Sequence, residues 1–204
     1  FYDLTDGSLV NTLGEVGQSG QIGMSVDGST IVTAETGNPG LVSQVDIATQ
    51  TVTAQVVIDG VSVGSMYSPP AVNAGGSTAL VAILPGNTAF VDFSTESWSE
   101  VATGNTPDWV GRSADGAHFV AGDFYTATID ATTGDLLDVS QGISIQNGAV
   151  GEGNRIASSD PLRAENIHFH DFSDPQNIVY EGNSPTGSAL ELDVAYSAKI
   201  VPDG

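Results

Sequence analysis

The sequence predicts an all-β chain made of a repeated antiparallel unit, and three observations carry that prediction. Val, Ile, Thr, Ser and Gly dominate the 204 residues, with 25 glycines among them. β-branched side chains suit a pleated surface, and glycine suits tight turns. No window sustains a 3.6-residue apolar period, so little helix is expected. An aspartate also recurs late in short apolar runs, at Asp3, Asp46, Asp92, Asp130 and Asp171, with spacings of 43, 46, 38 and 41 residues.

The stretch 24–60 shows one unit in order. Asp27-Gly28 makes a turn, and an apolar strand follows at 31–34. A Gly/Pro loop at 37–40 leads to a second strand at 41–47, with Asp46 near its end. A polar turn at 48–51 precedes a third strand at 52–58, closed by Asp59-Gly60. The opening turn returns as Gly75-Gly76, as Asp115-Gly116 and, in its weakest form, at 151–154. Only small residues tolerate the positive φ of such hairpin turns. The recurring aspartates are expected to cap the turn after their strand by accepting backbone N–H bonds.

A unit of about 40 residues holds about four short strands in up-and-down order, the size of one β-propeller blade. A blade alone exposes two apolar faces, and radial packing of several buries them. The expectation is one domain over 1–204, an all-β β-propeller of four-stranded antiparallel blades. Four units fall at about 18–60, 61–104, 105–142 and 143–182, and 1–17 and 183–204 each supply part of a further blade. About five blades' worth of sequence leaves two closures open. Either the terminal pieces join to close a ring, or the chain is an arc of a larger propeller completed by a second chain. Phe1 falls inside a repeat, so the chain reads as a processed or partial product.

Residues 25–34 (SVDGSTIVTA) with 45–52 (VDIATQTV), and Ser113-Ala114-Asp115-Gly116 with 129–134 (IDATTG), resemble the YVTN-type, lactonase-like propeller repeat, a relative of the WD-repeat and quinoprotein propellers. The literal Tyr-Val-Thr-Asn is absent. The resemblance spans nearly the whole chain and implies the propeller fold. The family it implies includes enzymes, surface proteins and binding scaffolds, so function has to come from a site.

Charge narrows the partners. Twenty-five acidic residues face four basic ones, Arg112, Arg155, Arg163 and Lys199, for a net charge of −21. Phosphate backbones and anionic lipid surfaces would be repelled, so neither nucleic acid nor membrane insertion is expected. No apolar run approaches the roughly 20 residues that span a bilayer. Cysteine is absent, which excludes disulfides, thiolate metal sites and cysteine nucleophiles. The acidic balance suits an extracellular, cell-surface or periplasmic protein.

The sharpest chemical constellation is Asn166-Ile167-His168-Phe169-His170-Asp171. Residues two apart on a strand share a face, so His168 and His170 project together, and with Asp171 they form a candidate zinc or copper site. The plainer reading has one histidine capping a turn and the other packed under the blade. His118, the third histidine, lies one unit earlier. Calcium is a second expectation, at the acidic turns 171–174 and 135–138. No Gly-x-Ser-x-Gly and no Ser/His/Asp set appears. The scarce arginines are expected to pair with carboxylates, and Trp98 and Trp109 to pack blades. The resulting expectation is a secreted or cell-surface binding or scaffold module for a protein partner. The alternatives are a zinc or copper carrier or metalloenzyme using His168 and His170, and then a lactonase- or lyase-like enzyme.

Overall fold

The computed structural model describes residues 5, 8–13, 19–63, 68–104, 107–141, 143–145, 147–159 and 166–185. Each repeat folds into an antiparallel sheet. The first holds β1 (Ser19–Met24), β2 (Thr30–Glu35), β3 (Gly40–Asp46) and β4 (Thr51–Ile58) in that order. In the second, two short strands, β5 (Ser62–Val63) and β6 (Ala71–Val72), pair with opposite ends of β7 (Thr78–Leu84). β8 (Asn87–Asp92) and β9 (Ser97–Val101) complete it. The third runs β10 (Trp109–Arg112), β11 (His118–Gly122), β12 (Tyr125–Asp130) and β13 (Leu136–Gln141). The fourth runs β14 (Asn147–Val150), β15 (Arg155–Ser159), β16 (Asn166–Asp171) and β17 (Val179–Pro185), with one 3-10 turn at Glu152–Asn154. Among the described residues there is no α-helix, so none long and apolar enough to cross a membrane.

Local chemistry explains the turns. Asp46 Oδ1 accepts from the Thr49 N–H at 2.7 Å, and Asp92 Oδ1 from the Ser94 N–H at 2.8 Å. Asp130 accepts from the Thr132 and Thr133 N–H groups at 2.8 and 2.9 Å, and Asp171 from the Ser173 N–H at 2.8 Å. The recurring aspartate is thus a side-chain substitute for a backbone turn partner. The turn between the first two strands uses a second device. Ser25 and Ser113 each donate a hydroxyl to Asp27 and Asp115, at 2.6 and 2.5 Å, while accepting the N–H of Thr30 and His118.

Three apolar clusters fill the seams between consecutive sheets. Val32, Val42 and Val56 of the first sheet meet Ala79, Val81, Ile83 and Val91 of the second. Leu80 and Phe90 meet Phe119, Ala127 and Ile129 of the third. Trp109 and Val120 meet Ile156 of the fourth. Removing such area from water contributes about 1.5–3 kcal/mol per large aliphatic side chain. Polar links cross the same seams. Gln44 Nε2 donates to the Gly76 carbonyl at 2.7 Å, Thr78 Oγ1 to the Ala131 carbonyl, and Thr128 Oγ1 to the Pro175 carbonyl. Near the inner edge Ser68 Oγ accepts the Val110 N–H at 2.8 Å and donates to its carbonyl at 3.2 Å.

Each sheet has the expected four-strand order, and in the first unit the strand that the pattern at 24–60 does not mark is β1. β1, β10 and β14 carry glycine where neighbours crowd in. A Cβ on Gly23 would overlap the Pro70 carbonyl oxygen, and one on Gly111 would overlap the Trp109 ring. The fourth sheet runs through Pro185, past the expected limit at 182. Asp3 and most of 1–17 and 186–204 lie outside the described residues; Asn11 Nδ2, in the described part, donates to the Gln50 carbonyl at 3.1 Å.

Candidate binding site

The first strands of all four sheets converge on one cleft. Its described walls are Ile22, Gly23 and Met24 of β1; Pro69 to Val72 at β6; Trp109 to Arg112 of β10; and Gly148 and Val150 of β14. It encloses about 760 Å³, counting space open to solvent. Ile22 and Met24 are 60% and 54% exposed, an unusual state for two neighbouring large apolar side chains on one strand.

The register shows which residue departs from the pattern. Met24 stands opposite Ile31, Val72 opposite Ala79, Arg112 opposite Phe119 and Val150 opposite Ile156. These four are equivalent positions, and only the third carries a charge. Burial pushes the Arg112 guanidinium below the usual arginine range, though an arginine keeps its proton in proteins. Its Nη1 donates to the adjacent Ser113 carbonyl at 3.3 Å. Among the described residues no carboxylate pairs with it. The ion pair among them joins Arg155 to Glu181 at 3.1 Å, which fulfils the expected pairing for Arg155 but not for Arg112. Arg163 lies outside the described residues.

No other described wall residue of the cleft is ionisable. The chemistry on offer is therefore an apolar trough with one cation, without a described acid–base group. Trp109 is 7% exposed and packs between Gly111 and Gly148, so it is both a seam residue and a wall. Trp98 packs against the first seam. Asp108, at the other end of β10, has its carboxyl pushed up by burial and then by Asp123.

The histidine pair sits elsewhere. His168 and His170 lie on β16 with ring centroids 6.4 Å apart and planes within 14°. Tyr180 lies 5.8 Å from the first ring and 5.5 Å from the second. His170 is 3% exposed, and its Nε2 lies 3.3 Å from Ser158 Oγ. Burial, then the neighbouring His168, pushes its pKa down to about 4. Among the described residues, His168 Nε2 and His170 Nδ1 are buried without a hydrogen-bond partner.

Asp171 is not brought to this pair. Adjacent strand residues point to opposite faces, and its carboxylate accepts the Ser173 N–H and hydroxyl, at 2.8 and 2.7 Å. Those bonds hold it below the usual carboxylate range. His118 stands in the third sheet opposite Asp130. In the acidic turns, Asp174 accepts from the Gln176 N–H, Asp135 from the Thr133 hydroxyl and Asp138 from the Ser140 hydroxyl. Among the described residues no group of three His, Asp or Glu side chains gathers to hold a metal.

The arrangement has relatives among solved structures. A chain of hydrazine synthase from Kuenenia stuttgartiensis superposes with a TM-score of 0.59 at 20% identity, over 88% of this chain and 52% of that one. A chain of the mitotic checkpoint complex superposes with a TM-score of 0.66 at 16% identity, over 92% of this chain and 57% of that one. This chain thus spans a little over half the length of either. No family model matches the sequence, and no curated protein matches it. Both structural neighbours are β-propeller proteins, and at these identities the likeness establishes fold: the chain is an all-β β-propeller of four-stranded antiparallel blades.

Proposed function

We propose that this propeller is a binding module whose inner-strand cleft takes an apolar protein segment bearing a single carboxylate, as at a chain's carboxyl terminus. The observation that carries this reading is Arg112, a half-buried cation without a described carboxylate partner in a chain of net charge −21. A lone guanidinium beside apolar walls favours a bidentate carboxylate. The surrounding negative field disfavours a segment carrying further acids. Ile22, Met24 and Trp109 offer the apolar contact. A binding role is favoured over acid–base catalysis because the described walls hold no carboxylate or imidazole. The acidic surface suits a secreted or cell-surface setting.

The test is selection from a pool of synthetic heptapeptides, presented once with free carboxyl termini and once amidated, on immobilised protein. Wild type should enrich apolar peptides from the free-acid pool only, and Arg112→Gln should lose that enrichment. Equal enrichment from both pools, or none lost in Arg112→Gln, would overturn the reading.

A further inference from the structure

The outer half of the third seam is built differently from the two before it. In the first seam the apolar cluster reaches Val56, Ile58 and Trp98, and in the second it reaches Val139. In the third it reaches Phe172 and Ile178, just outside β16 and β17, and among the described residues none within β12, β13, β16 or β17 belongs to it. His170 pairs with Ile156 and Tyr180. The counterparts of this trio are Ile129 with Phe119 and Leu136 in the third sheet, and Val91 with Ala79 and Trp98 in the second. Two residues earlier, His168 replaces Ala127 and Ala89.

The facing wall is polar as well. Thr128 pairs with Val120 and with Asp138, and Ser140 lies two residues beyond Asp138. All four therefore share the face that Val120 turns to Ile156. A seam that lost apolar contact and gained two buried, unpartnered ring nitrogens pays in stability unless something occupies them.

We infer that His168 Nε2 and His170 Nδ1 together hold one divalent transition-metal ion of the zinc and copper class, in the seam between the third and fourth blades. Imidazole is a natural ligand for both ions. The ring separation of 6.4 Å lies at the outer limit for a shared ion, given metal–nitrogen bonds of about 2.0–2.1 Å. Ligation through Nδ1 leaves His170 Nε2–H to donate to Ser158 Oγ, the usual second interaction that fixes a ligand's tautomer. Asp171 stays with its own turn, so water fills the remaining positions.

The test uses the full chain with millimolar calcium present to occupy weak carboxylate sites. Zinc and, separately, cupric ion are titrated calorimetrically into wild type, into His118→Gln and into the double variant His168→Ala/His170→Val. That variant carries the residue types of the other blades, which keeps it foldable; His170→Gln serves as a second variant. Wild type and His118→Gln should bind one ion per chain. The double variant should bind it more weakly by more than the roughly 10–100-fold that loss of an outer-shell partner costs. The cupric complex of wild type should show electron-spin coupling to two nitrogens. Equal affinity in wild type and double variant, absence of a tight ion in wild type, or a copper spectrum without nitrogen coupling would overturn the inference.

Discussion

His170 stands directly opposite Ile156 across the β15–β16 pair, in the place that Ile129 holds opposite Phe119 in the third blade and Val91 holds opposite Ala79 in the second. The fold therefore supplies its own reference. Equivalent positions in successive blades do the same packing job, and a residue that departs from the set is present for another reason. Arg112 and the His168–His170 pair are two such departures.

Without metal, His168→Ala/His170→Val should raise the melting temperature. The change removes two buried unpartnered nitrogens, each costing about 1–3 kcal/mol, and strands one buried group, the Ser158 hydroxyl beside His170 Nε2, at a similar cost. At about 2–4 °C per kcal/mol for a domain of this size, calorimetry should show a rise of several degrees. A fall would contradict the assignment of these nitrogens as unsatisfied.

Two glycine substitutions should separate packing from backbone freedom. Gly111→Ala drives a methyl into the Trp109 ring, whereas a Cβ on Gly75 meets nothing within 4 Å. Gly111→Ala should lower stability by about 1–3 kcal/mol through overpacking and shift the Trp109 emission to the red. Gly75→Ala should be neutral or slightly stabilising. Equal effects, checked by denaturant titration with fluorescence, would remove the close-packing argument for the inner strands.

Ser68→Ala should loosen the second seam near the cleft. It strands the buried Val110 N–H, which Ser68 Oγ accepts at 2.8 Å. Leaving such a donor unsatisfied costs about 1–3 kcal/mol. Hydrogen exchange at Val110 should quicken; unchanged protection would mean that water replaces the hydroxyl.

The capping aspartates give a pH dependence of definite sign. Hydrogen bonds hold Asp27, Asp46, Asp92, Asp115, Asp130 and Asp171 below the ordinary value of 3.8. A carboxylate with a lower pKa in the folded state adds stability above its unfolded pKa, and that stability is lost as pH falls through the folded value. Acid also relieves the self-repulsion of a chain at −21, so the measurement belongs in about 1 M salt, where screening shortens to about 3 Å. His170, held to a pKa of about 4, itself costs stability between about pH 6.5 and 4, so the curve is taken in His168→Ala/His170→Val, whose melting temperature should hold level down to about pH 4 and fall below it. A level or rising curve would contradict the capping role.

Much of this was legible in the sequence, for physical reasons. The aspartates at 46, 92, 130 and 171 act within two or three residues of themselves, so their turns are local and readable. The histidine pair was readable because alternate strand residues share a face, and by the same rule Asp171 belongs to the opposite one. The inner strands were not readable. β5 and β6 have two residues each, and β1, β10 and β14 carry glycine where neighbours crowd in, so no alternation marks them. The cleft stayed hidden because its walls come from four blades about 40 residues apart. Arg112 could have been found by aligning the repeats on their first hairpin turns, at Asp27-Gly28, Gly75-Gly76, Asp115-Gly116 and Gly153-Asn154, which places it level with Met24, Val72 and Val150.

The most direct test of the proposed binding role is a thermodynamic cycle on one selected peptide. Its free-acid and amidated forms are titrated into wild type and into Arg112→Gln. A carboxylate held by Arg112 makes the two changes non-additive, and the acid-over-amide preference of wild type, expected to be about tenfold or more for a charge-assisted pair, should vanish in the variant. A preference of the same size in both proteins would show that the carboxylate binds elsewhere and that the cleft is not the site.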